Sequence, residues 1–236
     1  MDKQALRERV WDDLEESGVA RFPFPPHGRI PNFAGADAAA ERLADTPEWA
    51  AAAAIKANPD APQLPVRRRA LAAGKTVYMA VPRLRDERCF VELDPATLTE
   101  PDAAATVSGM DEHGVPVRPE ALPPIDLVVA GSVAATADGV RIGKGEGYSD
   151  LEWGVLAGFD RVGPDTAVAT TVHGRQVVDD APAPEAHDVP VDLVVTPERT
   201  IRTETAAPRP AGLDWTALDD ERIAEIPVLE RLRGEP

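Results

Sequence analysis

Ile125-Asp-Leu-Val-Val129 decides the fold. This short apolar run is followed by Ala130-Gly131 and fits a strand covered on both faces, as in a parallel sheet. Val191-Asp-Leu-Val-Val-Thr196 repeats the pattern near the far end of the chain. Outward from these two, the periodicity predicts further strands at Ile55–Ala57, Thr76–Val81, Phe90–Leu93 and Thr166–Thr171. Helices are expected over Asp2–Ser17, where Leu6, Val10, Trp11 and Leu14 form one stripe, and over Gly35–Ala54 with a break at Thr46-Pro47. Others are expected at Leu64–Ala73 and Leu151–Gly158. Pro23, Pro25, Pro26 and Pro31 make Arg21–Phe33 irregular, and Asp102–Val115 reads as a polar connection. Strands alternating with helices predict one α/β domain with a mainly parallel sheet. Ligands in such sheets bind beyond the strand carboxyl ends, so Asp60, Pro82, Gly131 and Thr196 are expected to converge on one crevice.

The chain has 236 residues, 43 % of them hydrophobic, enough for one full core. No apolar run approaches the roughly 20 residues that span a bilayer. The charged start (Asp2, Lys3, Arg7, Arg9) lacks the apolar region of a signal peptide, and a cytoplasmic location is expected. Cys89, the single cysteine, sits before Phe90-Val91 and reads as a buried thiol. Net charge is −16, with lysine only at positions 3, 56, 75 and 144. Such a surface suits a high-salt cytoplasm and suggests a halophilic archaeon, although a GC-rich genome gives a similar composition. A field of this sign repels nucleic acid. Arg67-Arg68-Arg69 reads as a solvated face, and His27, His113, His173 and His187 show no metal-ligand spacing.

The chemistry is concentrated in Arg141-Ile-Gly-Lys-Gly-Glu-Gly-Tyr-Ser-Asp150. Gly143, Gly145 and Gly147 let backbone N–H groups form an anion-binding concavity. Arg141 and Lys144 add positive charge, and the following helix adds its N-terminus. Asp150 reads either as a hard oxygen ligand for Mg²⁺ or as a helix cap. A bare hairpin needing positive φ is the other reading of the segment. As a surface loop, it is expected to tolerate substitution without loss of folding.

Several motifs in order resemble the 5-formyltetrahydrofolate cyclo-ligase family. They are Lys3-Gln-Ala-Leu-Arg7, Gly74-Lys-Thr-Val-Tyr-Met-Ala-Val-Pro82, Pro123-Pro-Ile-Asp-Leu-Val-Val129, the glycine segment, and His187-Asp-Val-Pro-Val-Asp-Leu-Val-Val-Thr196. Ile30-Pro-Asn-Phe-Ala-Gly35 and Ile226-Pro-Val-Leu229 resemble its archaeal branch and the domain of animal methenyltetrahydrofolate synthetase domain-containing proteins. The resemblance implies a three-layer α/β/α fold related to ribose-phosphate isomerases and CoA-transferases. The domain would span 1–203, with 204–236 a Pro-rich linker and helical cap packed on it. It also implies ATP- and Mg²⁺-dependent cyclisation of 5-formyltetrahydrofolate to 5,10-methenyltetrahydrofolate, by a monomer or homodimer acting on small molecules.

By resemblance, Lys3, Arg7, Arg141 and Lys144 hold phosphates on the Gly143, Gly145 and Gly147 cradle. Tyr148 packs on nucleotide or pterin, Asp150 holds Mg²⁺, and Asp60 and Gln176 contact the folate. Lys3 and Arg7 also read as solvated helix charges, Tyr148 as core and Asp60 as a turn residue. Two positions depart from the family: Glu146 stands where a basic residue is usual and Ser149 where a second tyrosine is usual. Glu146 is expected to pair with Lys144. These departures keep open a nucleotide- or pterin-binding relative without cyclo-ligase activity.

Overall fold

The structure is a computed structural model that describes residues 2–205 and 207–234. Helix α1 (Lys3–Glu16) starts where the Asp2 carboxylate accepts from the Ala5 N–H at 2.8 Å, and it buries the expected stripe. Two short strands, β1 (Ala20–Arg21) and β2 (Asn32–Phe33), pair across the Pro-rich segment. Then come α2 (Ala36–Ala44), α3 (Pro47–Ala51), β3 (Ala54–Ala57), α4 (Leu64–Ala72) and β4 (Thr76–Ala80). The chain continues through β5 (Phe90–Leu93), α5 (Pro101–Ala104), α6 (Val107–His113), β6 (Val115–Val117) and β7 (Leu127–Ala130). A hairpin of β8 (Ala134–Ala135) and β9 (Arg141–Ile142) leads to α7 (Tyr148–Gly158), β10 (Ala167–Thr171), β11 (Leu193–Val195) and β12 (Thr200–Arg202). Helices α8 (Asp220–Glu225) and α9 (Pro227–Gly234) end the described chain.

Eight strands form the central sheet in the order β12-β11-β10-β7-β3-β4-β5-β6. The run from β11 to β4 is parallel; β12 pairs antiparallel with β11 at one edge, and beyond β4 come β5 and then β6, each antiparallel to its neighbour. Alternate residues of β7 feed two cores. Val128 packs with Trp153, Leu156 and Leu229 on one face, and Leu127 and Val129 pack with Leu43, Trp49 and Val66 on the other. Helices therefore cover both faces, as the apolar runs predict. Cys89 is fully buried among the first set, and burial pushes its thiol pKa up to about 12. Among the described residues no helix is long and apolar enough to cross a membrane.

Three expectations are corrected. The Ala-rich helix stops early, because the Asp126 carboxylate accepts from the Ala53 and Ala54 N–H groups at 2.8 and 2.9 Å and draws Ala54 into the sheet. Pairing with β7 overrides the helix propensity of alanine. The polar segment 102–115 is structured as α5, α6 and the start of β6, with Thr106 capping α6 and Met110 buried. Arg67 turns inward from α4 and is buried, while Arg68 is exposed.

The sheet order fixes where a ligand can sit. From β3 the chain moves one way to β4. From β7 it moves the other way through β10 to β11. The neighbours β3 and β7 thus mark a topological switch point, and a crevice opens beyond their carboxyl ends.

Candidate active site

That crevice is a cleft of about 350 Å³. Asn58, Pro59 and Asp60 line it after β3, Pro82 and Arg83 after β4, and Gly131 after β7. Most of its remaining wall comes from Arg141 and from residues between Gly143 and Glu152, with Ile30 closing one side. Asp60, Pro82 and Gly131 therefore meet as expected. Thr196 does not line the cleft, because its hydroxyl closes the β11–β12 turn by donating to Arg199 O at 3.1 Å.

The β8–β9 hairpin brings Arg141 back beside the end of β7, where Nη1 donates to Gly131 O at 3.1 Å. Its Nη2 reaches both Asp150 oxygens, at 2.6 and 2.7 Å. Asp150 also accepts from the Val189 N–H at 3.1 Å. The two side chains are only 3 % and 11 % exposed. Burial opposes the Arg141 charge, but the Asp150 carboxylate outweighs it and raises the guanidinium pKa.

Between them the loop turns through Gly145 (φ 106°) and Gly147 (φ 74°), a conformation that disfavours residues with a Cβ. Gly147 is the N-cap of α7 and supplies no side-chain partner to the first helical N–H groups. That helix N-terminus is a ready anion site.

Arg7 clamps the loop from α1, its Nε donating to Gly143 O at 2.7 Å. Desolvation lowers the Arg7 pKa, in part offset by Asp188 and Asp2. Lys144 and Glu146 pair at 2.9 Å, as expected from the reversed charge. Lys3 lies outside the cleft lining and pairs with Asp188 at 2.7 Å and Glu185 at 3.3 Å. Asp188 feels burial, which raises its pKa, but hydrogen bonds from Lys3 and the Glu185 N–H hold it below the usual carboxylate range.

One assigned role changes. Gln176 is fully buried, its Nε2 donating to Ser132 O and Val133 O at 3.1 and 3.2 Å and its Oε1 accepting from the His173 N–H at 2.8 Å. It braces the β8 region and has no free atom for a folate. Tyr148 lines the cleft, but the Arg222 guanidinium lies 4.1 Å from its ring centroid and covers one face. Arg222 also donates to Glu146 O at 2.9 Å, so α8 holds the loop from outside.

Beneath the cleft lies a polar network that sequence reasoning missed. Buried Lys56 on β3 pairs with Glu152 on α7. The Asn58 Nδ2 donates to Glu152 at 2.9 Å. Its Oδ1 accepts from the Gly131 N–H at 2.9 Å and the Ser149 hydroxyl at 3.2 Å. Arg67 donates to Asn58 O at 2.6 Å and Asp60 O at 3.0 Å, and burial pushes its pKa down to about 10. The network locks the ends of β3 and β7 to the first turn of α7. The available signals were a lysine inside an apolar strand and a polar residue directly after it. Asp60 sits on this frame, and desolvation raises its pKa, which favours a neutral carboxyl able to donate and accept.

The cleft carboxylates do not fit a resident Mg²⁺. Asp150 is occupied by Arg141, Glu146 by Lys144 and Glu152 by Lys56, while Asp60 is disfavoured as an anion. The expected Mg²⁺ position at Asp150 is filled by a guanidinium.

The sequence profile of the 5-formyltetrahydrofolate cyclo-ligase family matches residues 1–197. A methenyltetrahydrofolate synthase domain-containing protein of Mus musculus is 43 % identical over 240 residues, 99 % of this chain and 63 % of that protein. The Homo sapiens protein of the same description is 38 % identical over 238 residues, 99 % of this chain and 62 % of that one. The chain thus spans less than two thirds of the length of these relatives. They are animal proteins, so the expectation of a halophilic archaeon draws no support from them. The NMR structure of Aquifex aeolicus 5,10-methenyltetrahydrofolate synthetase superposes with a TM-score of 0.56 over 87 % of this chain and 95 % of that one, at 20 % identity. That likeness concerns the fold.

Proposed function

The chain belongs to the 5-formyltetrahydrofolate cyclo-ligase family, and from that premise we propose that it cyclises 5-formyltetrahydrofolate to 5,10-methenyltetrahydrofolate with consumption of ATP. The observation that carries this reading is the glycine loop at the switch point, where Arg141 ties an uncapped helix N-terminus to the end of β7. Phosphoryl transfer needs mainly positioning and charge neutralisation. The N–H groups at the start of α7 receive phosphate oxygens, Arg7 holds the loop in place, and Lys144 is the nearby cation that an arriving anion would draw from Glu146. The formyl oxygen attacks the γ-phosphorus and ADP leaves. N10 then attacks the activated formyl carbon, loses its proton, and phosphate departs with the former formyl oxygen. Asp60, whose pKa burial raises, lines the cleft after β3 and faces the polar edge of the pterin. The reading places the protein in the cytoplasm, acting on small molecules.

A second reading is favoured by the Lys144–Glu146 pair, which cancels a charge beside the anion site. On that reading the cleft binds a nucleotide or pterin without cyclisation. One assay separates the two. Folded protein given 5-formyltetrahydrofolate and ATP, with Mg²⁺ in the buffer, should produce the near-ultraviolet absorbance of the methenyl product. Calorimetric ATP binding with no absorbance change would select the second reading.

A further inference from the structure

Arg222 grips the glycine loop from the side away from the cleft. Glu146 and Gly147 line both the cleft and a second hollow of about 290 Å³, and Arg222 lines only the second. The loop is therefore a wall with Arg222 behind it. The Arg222 Nη2 donates to Glu146 O at 2.9 Å, and its guanidinium carbon stands 4.1 Å from the Tyr148 ring centroid. Its own footing is firm. The Asp219 carboxylate caps α8 by accepting from the Arg222 N–H at 2.7 Å, and the neighbouring Ile223 is buried in the core that holds Trp153 and Leu156. Arg222 also stands beyond residue 197, where the family match ends.

Backbone geometry carries that grip through to the cleft. Glu146 sits between Gly145 at φ 106° and Gly147 at φ 74°. Glycine on both sides leaves the orientation of the peptides between them to outside contacts. In a planar trans peptide the C=O and the following N–H point in opposite directions. With Glu146 O held from behind by Arg222, the Gly147 N–H is aimed at the cleft. The other end of the loop is built alike. Arg7, also outside the cleft lining, holds Gly143 O and turns the Lys144 N–H the opposite way. Among the described residues neither N–H has a hydrogen-bond acceptor. Two guanidiniums thus hold two carbonyls back and leave two N–H groups for an anion. Resting on the reading that ATP phosphates sit on this loop, we propose that Arg222 is a positioning residue: by fixing the Glu146–Gly147 peptide it sets nucleotide affinity without touching the nucleotide.

The test is calorimetry of ATP and of 5-formyltetrahydrofolate, each titrated into wild type and variants. Arg222→Ala should weaken ATP binding by roughly 10- to 100-fold, the range for a hydrogen bond to a charged group. It should leave the affinity for 5-formyltetrahydrofolate unchanged. The ratio to wild type should be the same at about 0.1 and about 0.5 M KCl, because the effect runs through the peptide and not through the field of the charge. Arg222→Lys retains a donor for Glu146 O and should recover part of the loss. Arg222→Met keeps an aliphatic stem on Tyr148 and should bind ATP as weakly as Arg222→Ala, and it carries the test if Arg222→Ala does not fold. Unchanged ATP affinity in the folded variants, an equal loss for both ligands, or a loss that vanishes at the higher salt overturns the proposal. Failure of the underlying reading appears separately, as folded wild type that binds no ATP, and takes the proposal with it.

Discussion

Arg141→Ala should unfold the protein far more easily than a substitution in a surface loop would. The guanidinium makes two bonds to Asp150 and one to Gly131 O, with both charged side chains almost fully covered. Truncation leaves the Asp150 carboxylate buried against a single N–H, that of Val189. Removing one partner of a buried ion pair costs about 3–5 kcal/mol. For a chain of this size each kcal/mol corresponds to roughly 2–4 °C, so the midpoint should fall by about 6–20 °C. Urea titration checks this as a lower transition midpoint at unchanged slope. The loss should persist in high salt, which screens buried pairs weakly. Combining Arg141→Met with Asp150→Leu should lose less than Arg141→Ala alone, since no charge is then left unpaired. A change within about 0.5 kcal/mol for Arg141→Ala would refute this reasoning and restore the expectation of a dispensable surface turn.

Two further outcomes follow from the charges around the cleft. Lys144 and Glu146 are 33 % and 48 % exposed, so Glu146→Lys should move stability by no more than about 1 kcal/mol while tightening ATP binding by up to about tenfold in calorimetry; weaker binding would show that the pair does not compete with phosphate. Burial raises the Asp60 pKa, so its folding contribution is full below the ordinary carboxylate value and is lost as pH rises through the folded value. Asp60→Asn should therefore gain on the wild type in thermal midpoint from acid to neutral pH, and a constant difference across that range would contradict the assignment.

Much of the frame was legible because it rests on local pattern. The apolar runs at Ile125–Val129 and Val191–Thr196 are strands of a sheet covered on both faces, and the Leu6, Val10, Trp11, Leu14 stripe is buried as one face of α1. The glycine segment does open a helix in the cleft. What escaped are side-chain contacts that the local pattern does not show. Lys56 meets Glu152, Arg222 meets Tyr148, and Asp150 meets Arg141 across a loop that conceals how deeply both are buried. Arg67 looked solvated beside Arg68 and Arg69 because charge composition does not reveal which side of α4 faces backbone carbonyls. Segment 102–115 looked unstructured because its two short helices carry few apolar residues, and Met110 is buried there in a core it shares with Val91 and Leu93 of β5.

The central claim is that this cleft couples ATP cleavage to ring closure. The most direct measurement follows phosphate release and methenyl absorbance in one reaction with 5-formyltetrahydrofolate and ATP. The account predicts that both rise together, one phosphate for each product, and that neither rises without the other substrate. Phosphate release without methenyl product, methenyl formation without ATP, or no signal from folded protein that binds ATP would contradict it.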